Sequence, residues 1–126
     1  MKQIEFFGLT MALEHASFQL FKNTNFHIGI ITPTFDLLAQ IHKELVLNVK
    51  AINSNEITKL TEKNIYLSNG STAYQFTQTQ SNNIIKDYSF NMIFSMFQPL
   101  NYEWKMSVIP SLTMNLNSIL YTVYDR

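Results

Sequence analysis

The run Phe26-His27-Ile28-Gly29-Ile30-Ile31 constrains this chain more than any other stretch. It is short, continuous and rich in isoleucine. Such a strand is buried on both faces, as happens where helices cover both sides of a parallel sheet. The stretch before it, Met11 to Lys22, has no Gly or Pro and carries Leu13, Ala16, Phe18, Leu20 and Phe21, which predicts a helix. Its wide apolar coverage predicts contact on more than one side. Asn23-Thr24-Asn25 ends it, with Lys22 in the last turn where the helix dipole favours a cation. Upstream, Ile4 to Phe7 reads as the tail of a strand, and Gly8-Leu9-Thr10 as a turn with Thr10 as helix N-cap. Strand, helix and buried strand together predict a right-handed βαβ unit.

Thr32-Pro33-Thr34 closes the buried run, and Thr34 is a second N-cap candidate. Leu37, Leu38, Ile41, Leu45 and Val49 then recur at spacings of three and four, the clearest amphipathic helix in the chain, ending near Val49. Ala51 to Glu62 is polar and reads as a loop with one helical turn or a short strand. Asn64 to Leu67 and Thr72 to Thr77 flank Ser68-Asn69-Gly70-Ser71. Asn-Gly between two strand-like runs predicts a hairpin, with Tyr66, Tyr74 and Phe76 paired across it. Gln78 to Asp87 reads as a loop, and Tyr88 to Phe97 as a second central strand. Gln98 to Tyr102 turns at Pro99. Glu103 to Thr113 reads as a helix broken at Pro110, with Trp104, Val108 and Leu112 facing in. Asn115 to Ser118 is a loop, and Ile119 to Tyr124 a final buried strand.

The whole chain, 1–126, reads as one domain, without repeats or linkers. Lys+Arg and Asp+Glu are 9 each, so no net charge steers it to nucleic acid or to an anionic membrane. A charge-poor surface favours association with a partner. Cysteine is absent, which excludes disulfides and thiolate metal sites. No apolar run approaches the ~20 residues of a membrane span, and the first residues lack signal-peptide character. A cytoplasmic location is expected.

The order of the pieces carries a resemblance. Gly8-Leu9-Thr10 is followed by Ile31-Thr32-Pro33-Thr34, Asn69-Gly70-Ser71 and Phe90-Asn91-Met92-Ile93-Phe94. Trp104, Ile109-Pro110-Ser111-Leu112 and Ile119-Leu120-Tyr121-Thr122 complete it. This resembles the ATPase domain of tailed-phage large terminases, the DNA-packaging motors, and more loosely the helicase-like P-loop proteins. The resemblance spans nearly the whole chain. It implies an α/β, three-layer fold: a mainly parallel sheet of about four strands, of P-loop NTPase type, with a β-hairpin inserted between Asn64 and Thr77.

The departures bear on function. A phosphate loop uses backbone N–H groups and a lysine to cradle phosphates, and a Ser/Thr hydroxyl to hold Mg²⁺. The family's pattern would place Gly at Gln3 and Lys at Leu9; only Gly8 and Thr10 remain. Its acidic pair would fall at Met96 and Phe97, which removes the carboxylates that serve Mg²⁺ and orient water. Asn91 stands where the family often has Asp, and Lys86-Asp87 where it has Arg-Gly. Of the coupling motif only Thr122 is kept in kind. The resemblance therefore implies a degenerate nucleotide site at Gly8, Leu9, Thr10, Met96, Phe97 and Thr122, without catalytic residues of its own. The expectation is a catalytically inactive, terminase-like module acting through protein contacts, as a packaging accessory or a virion subunit, in the host cytoplasm or the virion. The alternatives are one piece of a split ATPase, the only case in which ATP and Mg²⁺ are expected as cofactors, or a nucleic-acid-binding module that does not hydrolyse.

Other chemistry is sparse. His15, His27 and His42 show no metal-ligand spacing, and no metal is expected. Ser17, Ser95 and Ser111 lack a nucleophile-elbow setting. Tyr66, Tyr74, Phe76 and Tyr88 have the character of base-stacking residues, but a single-strand binder also needs a basic groove. Lys59, Lys63 and Lys86 are the nearby cations. Lys63, Tyr74 and Lys86 are the candidate nucleic-acid contacts; packing across strands is the competing role. Met92, Phe94, Met96 and Phe97 read as core or as an apolar contact surface.

Overall fold

A computed structural model describes residues 1–113 and 117–125. The elements run β1 (Lys2–Phe7), α1 (Leu9–Lys22), β2 (His27–Thr32), α2 (Phe35–Asn53), β3 (Ile57–Leu60), β4 (Asn64–Leu67), β5 (Thr72–Thr77), β6 (Met92–Met96), α3 (Tyr102–Thr113) and β7 (Ile119–Tyr124). Short 3-10 turns occupy Ser54–Glu56 and Asn82–Ile85. All seven strands form one sheet in the order β1-β7-β6-β2-β5-β4-β3. The five strands β1, β7, β6, β2 and β5 are parallel, while β4 runs antiparallel to both β5 and β3.

The Ile-rich run lies at the centre as expected, between β5 and β6. Alternate side chains feed two cores. Ile28 and Ile30 join Ala73, Met92, Phe94, Met96, Tyr121 and Val123 beneath α1 and α2. Ile31 joins Phe76, Ile93 and Leu120 beneath Trp104, Val108 and Leu112 of α3. The result is the expected three-layer arrangement. Gly29 falls on the α3 side, where the Phe90 ring lies 3.2 Å from the place a Cβ would take; a side chain there would press on a buried aromatic and push it aside.

The sheet has seven strands where about four and an inserted hairpin were expected. β3 is short and mostly exposed, so its residues carry no burial pattern. The Asn-Gly hairpin exists, but its second arm is itself a core strand that pairs in parallel with β2. β1 and β2 do not neighbour one another, because β7 and β6 lie between them.

Local expectations divide along the same line. Thr34 caps α2 by accepting from Leu37 N at 3.3 Å, and α2 extends past Val49 to Asn53. Thr10 does not cap α1. Gly8 occupies that place at φ 101°, and no side chain caps the helix. α1 packs both on α2 and on the sheet, burying Ala12, Leu13, Ala16 and Leu20, while Met11 and Phe18 are exposed. Pro110 does not break α3, which continues to Thr113. It stands in the last turns on the exposed side, where its missing N–H removes a single bond. Tyr88 and Phe90 precede β6 rather than belong to it, and stack with ring centroids 5.6 Å apart. The loop expected at Asn115 to Ser118 lies partly outside the described residues.

Candidate functional site

In a parallel α/β sheet, ligands bind beyond the carboxyl ends of the strands. Here β1, β2, β5, β6 and β7 deliver Phe7, Thr32, Thr77, Met96 and Tyr124 to that end. The backbone there is closed by its own hydrogen bonds. Gly8 N donates to Tyr124 O at 2.8 Å, Phe97 N to Val123 O at 2.6 Å and Gln78 N to Thr32 O at 2.9 Å. The Thr32 hydroxyl is shared between the Thr34 and Phe76 carbonyls, and the Ser95 hydroxyl donates to Gln98 O at 2.7 Å.

Gly8 alone joins β1 to α1. A phosphate cradle needs several successive backbone N–H groups curled around an anion, and a one-residue link does not supply that curl. Gln3 is a strand residue paired with Leu120. Leu9 packs against the core cluster under α1 and α2, and Phe97 packs against the same cluster. Met96 belongs to that cluster and is fully buried. The three positions at which the resemblance implies a lysine and two acids thus join one apolar core. Phe97 holds φ 72°, a conformation costing an aromatic residue about 1 to 3 kcal/mol; its bond to Val123 and its packing keep it there. Thr10 is exposed. Thr122 lies in β7 between Glu5 and Ser95 and lines a shallow pocket of about 310 Å³ with Gln3, Ile4, Glu5, Pro99 and Tyr124.

Asn91 has a structural task at the opposite end of the sheet. Its Oδ1 accepts from His27 N at 2.8 Å, its N donates to His27 O, and its O accepts from Ile119 N. It ties the start of β2 to β7 across β6.

The candidate nucleic-acid contacts are not gathered on one face. Tyr74 packs on the α3 side, edge-on to Tyr66 at 5.8 Å and beside Tyr88 at 5.0 Å. Burial and these two phenols push its hydroxyl pKa up. Lys59 lies 5.4 Å from the Tyr66 ring. Lys63 instead reaches the Phe35 ring at the start of α2, at 4.9 Å. Lys86 is exposed, just past the 3-10 turn that packs on α3.

The histidines are structural. His15 Nε2 meets Tyr121 Oη at 3.2 Å among Phe6 and Phe94. His27 Nδ1 bonds Thr72 Oγ1 at 2.6 Å, and His42 Nε2 bonds Thr61 O at 2.8 Å. Burial pushes all three pKa values down, with Lys22 adding to the effect at His15 and the Thr61 bond opposing it at His42. Among the described residues no group of three metal-ligating side chains occurs, and no helix is long and apolar enough to cross a membrane.

No protein-family model matches the sequence, and no curated protein matches it. Solved structures do match. The large terminase ATPase domain of Thermus phage P74-26 superposes with a TM-score of 0.77 at 14% identity, over 99% of this chain. An arginine-to-alanine mutant of that domain gives 0.76 at the same identity and coverage. The chain spans 60% of the length of those domains.

Proposed function

The chain has the α/β, P-loop-like fold of a large terminase ATPase domain, and from this premise we propose that it is a phage terminase-like module that does not hydrolyse ATP on its own. It acts through protein contacts, as a packaging accessory or a structural subunit of the virion, in the infected cell or in the particle. One observation carries the reading. Leu9, Met96 and Phe97 pack into a single apolar cluster where a phosphate site needs a cation and two carboxylates. The single-residue link at Gly8 agrees with it, since it offers no loop of amides to an anion.

Two measurements test the proposal. The melting temperature should not move on adding ATP with Mg²⁺, and a clear rise would overturn the inactive reading. Isolation of the tagged chain from infected cells or particles should bring down packaging or virion proteins; recovery as a lone monomer counts against the contact role.

A second reading rests on Tyr66, Tyr74 and Tyr88, which line up half-buried on the sheet face, with Lys59 against Tyr66. Base stacking on such a row would give salt-dependent binding of single-stranded DNA. Absence of binding at low salt removes this reading.

A further inference from the structure

The turn between β4 and β5 holds the end of α1. Asn69 Nδ2 donates to Leu20 O at 2.8 Å and to Asn23 O at 2.9 Å. Its Oδ1 accepts from Ser71 N at 2.9 Å. The Ser71 hydroxyl donates to Asn23 O and accepts from Phe26 N, and Asn25 N donates to Asn69 O at 3.1 Å. Asn69 therefore satisfies carbonyls left open at the helix end, across 49 residues of sequence.

Asn69-Gly70 is also the sequence's one Asn-Gly pair, and Asn-Gly is chemically labile. The deprotonated Gly70 nitrogen attacks Asn69 Cγ, where glycine offers no Cβ to obstruct the approach. The new C–N bond closes a succinimide. Nδ2 leaves as ammonia, taking up the proton that Gly70 N lost. Water then opens either carbonyl of the ring, giving aspartate or isoaspartate. Water is the only co-reactant, and nothing is oxidised or reduced.

The fold opposes each step. The Gly70 N–H donates to Leu67 O at 3.0 Å, which disfavours its deprotonation. The leaving Nδ2 is tied to two carbonyls, and the Oδ1 bond to Ser71 N fixes the plane of the amide. We propose that Asn69 is a fold-protected deamidation site: it converts only when this turn opens, and conversion removes the clasp on α1. The product places a carboxylate against two carbonyl oxygens at the negative end of a helix dipole, so a converted molecule does not close the turn as before. Transient opening becomes an irreversible mark.

The test incubates the full chain at one mildly alkaline pH, folded in buffer or unfolded in urea, and follows the Asn69 peptide by mass and isoaspartate content. Conversion should be at least about tenfold slower in the folded chain, because it is scaled by the open fraction. Equal rates would overturn the protection. In a second arm, Asn69→Asp should melt below Asn69→Ala at neutral pH, with the gap closing at acid pH as the carboxyl protonates. If the two melt together at neutral pH, or the aspartate variant melts higher, the clasp argument fails. If Asn69→Asp does not fold at neutral pH while Asn69→Ala does, the argument is upheld.

Discussion

Gly8 and Tyr124 are joined by a 2.8 Å bond from the Gly8 amide to the Tyr124 carbonyl, which fixes the start of α1 on the end of β7. Gly8 holds φ 101°, with no atom within 4 Å of where a Cβ would stand. Only backbone strain opposes a side chain there. With ψ at 114° the residue also lies outside the left-handed helical region, so Gly8→Ala should lose about 1 to 3 kcal/mol, read as a lower urea midpoint at unchanged slope.

Restoring the lysine should not restore nucleotide binding. Leu9→Lys puts a charge beside an apolar cluster without creating a loop of amides, and Met96 and Phe97 supply no carboxylate beside it. The variant should be less stable than the parent and show no ATP-dependent rise in melting temperature. Met96→Asp buries an unpaired carboxylate at a fully buried position and should cost several kcal/mol, about 3 or more.

Acid should destabilise the protein through its histidines. The folded pKa values of His15, His27 and His42 are depressed by burial. The unfolded chain thus takes up protons first as pH falls from about 6.5, and stability declines from there down through the lower folded values. Urea midpoints should drop between neutral pH and pH 5. His15→Phe, which keeps the aromatic packing with Phe6 and Tyr121, should flatten part of that slope.

Gly29→Ala should cost about 1 to 3 kcal/mol by overpacking. The Phe90 ring it meets is buried and braced by Tyr88, Phe76 and Tyr74, so it has little room to retreat. Phe90→Leu should be harmful alone yet less so in the Gly29→Ala background. A double-mutant cycle on melting temperature measures that coupling; additive effects would refute direct contact.

Much of this architecture is legible in the sequence because burial leaves a trace, periodic in the helix and continuous in the central strands. The Ile-rich run, the helix from Leu37 to Val49 and the strand at Ile119 all carry one. What escapes is set by contacts distant along the chain. β3 is mostly exposed and at the sheet edge beside β4, so its residues leave a helical turn and a short strand as open alternatives, and the fold holds one of each. The role of Asn91 follows from a bond to His27, 64 residues away. The Asn-Gly signal predicts the hairpin but not that Asn69 reaches α1. At the candidate site, Gly8, Leu9, Met96 and Phe97 stand out by what they lack, while the closeness of strand and helix is visible only in the fold.

Among the described residues β1 has one partner in the sheet, β7, in a register that pairs Lys2 with Ile119. Of the strands described, β1 comes earliest in the chain and waits for one more than a hundred residues later. Until then Ile4, Phe6 and Phe7 have no strand to join, although β2 and β5 can already pair. Closure of the sheet is thus the most non-local event in the fold, and the slowest in loop-closure terms. Assembly should end at this edge, where a competing strand would have the longest time to intervene.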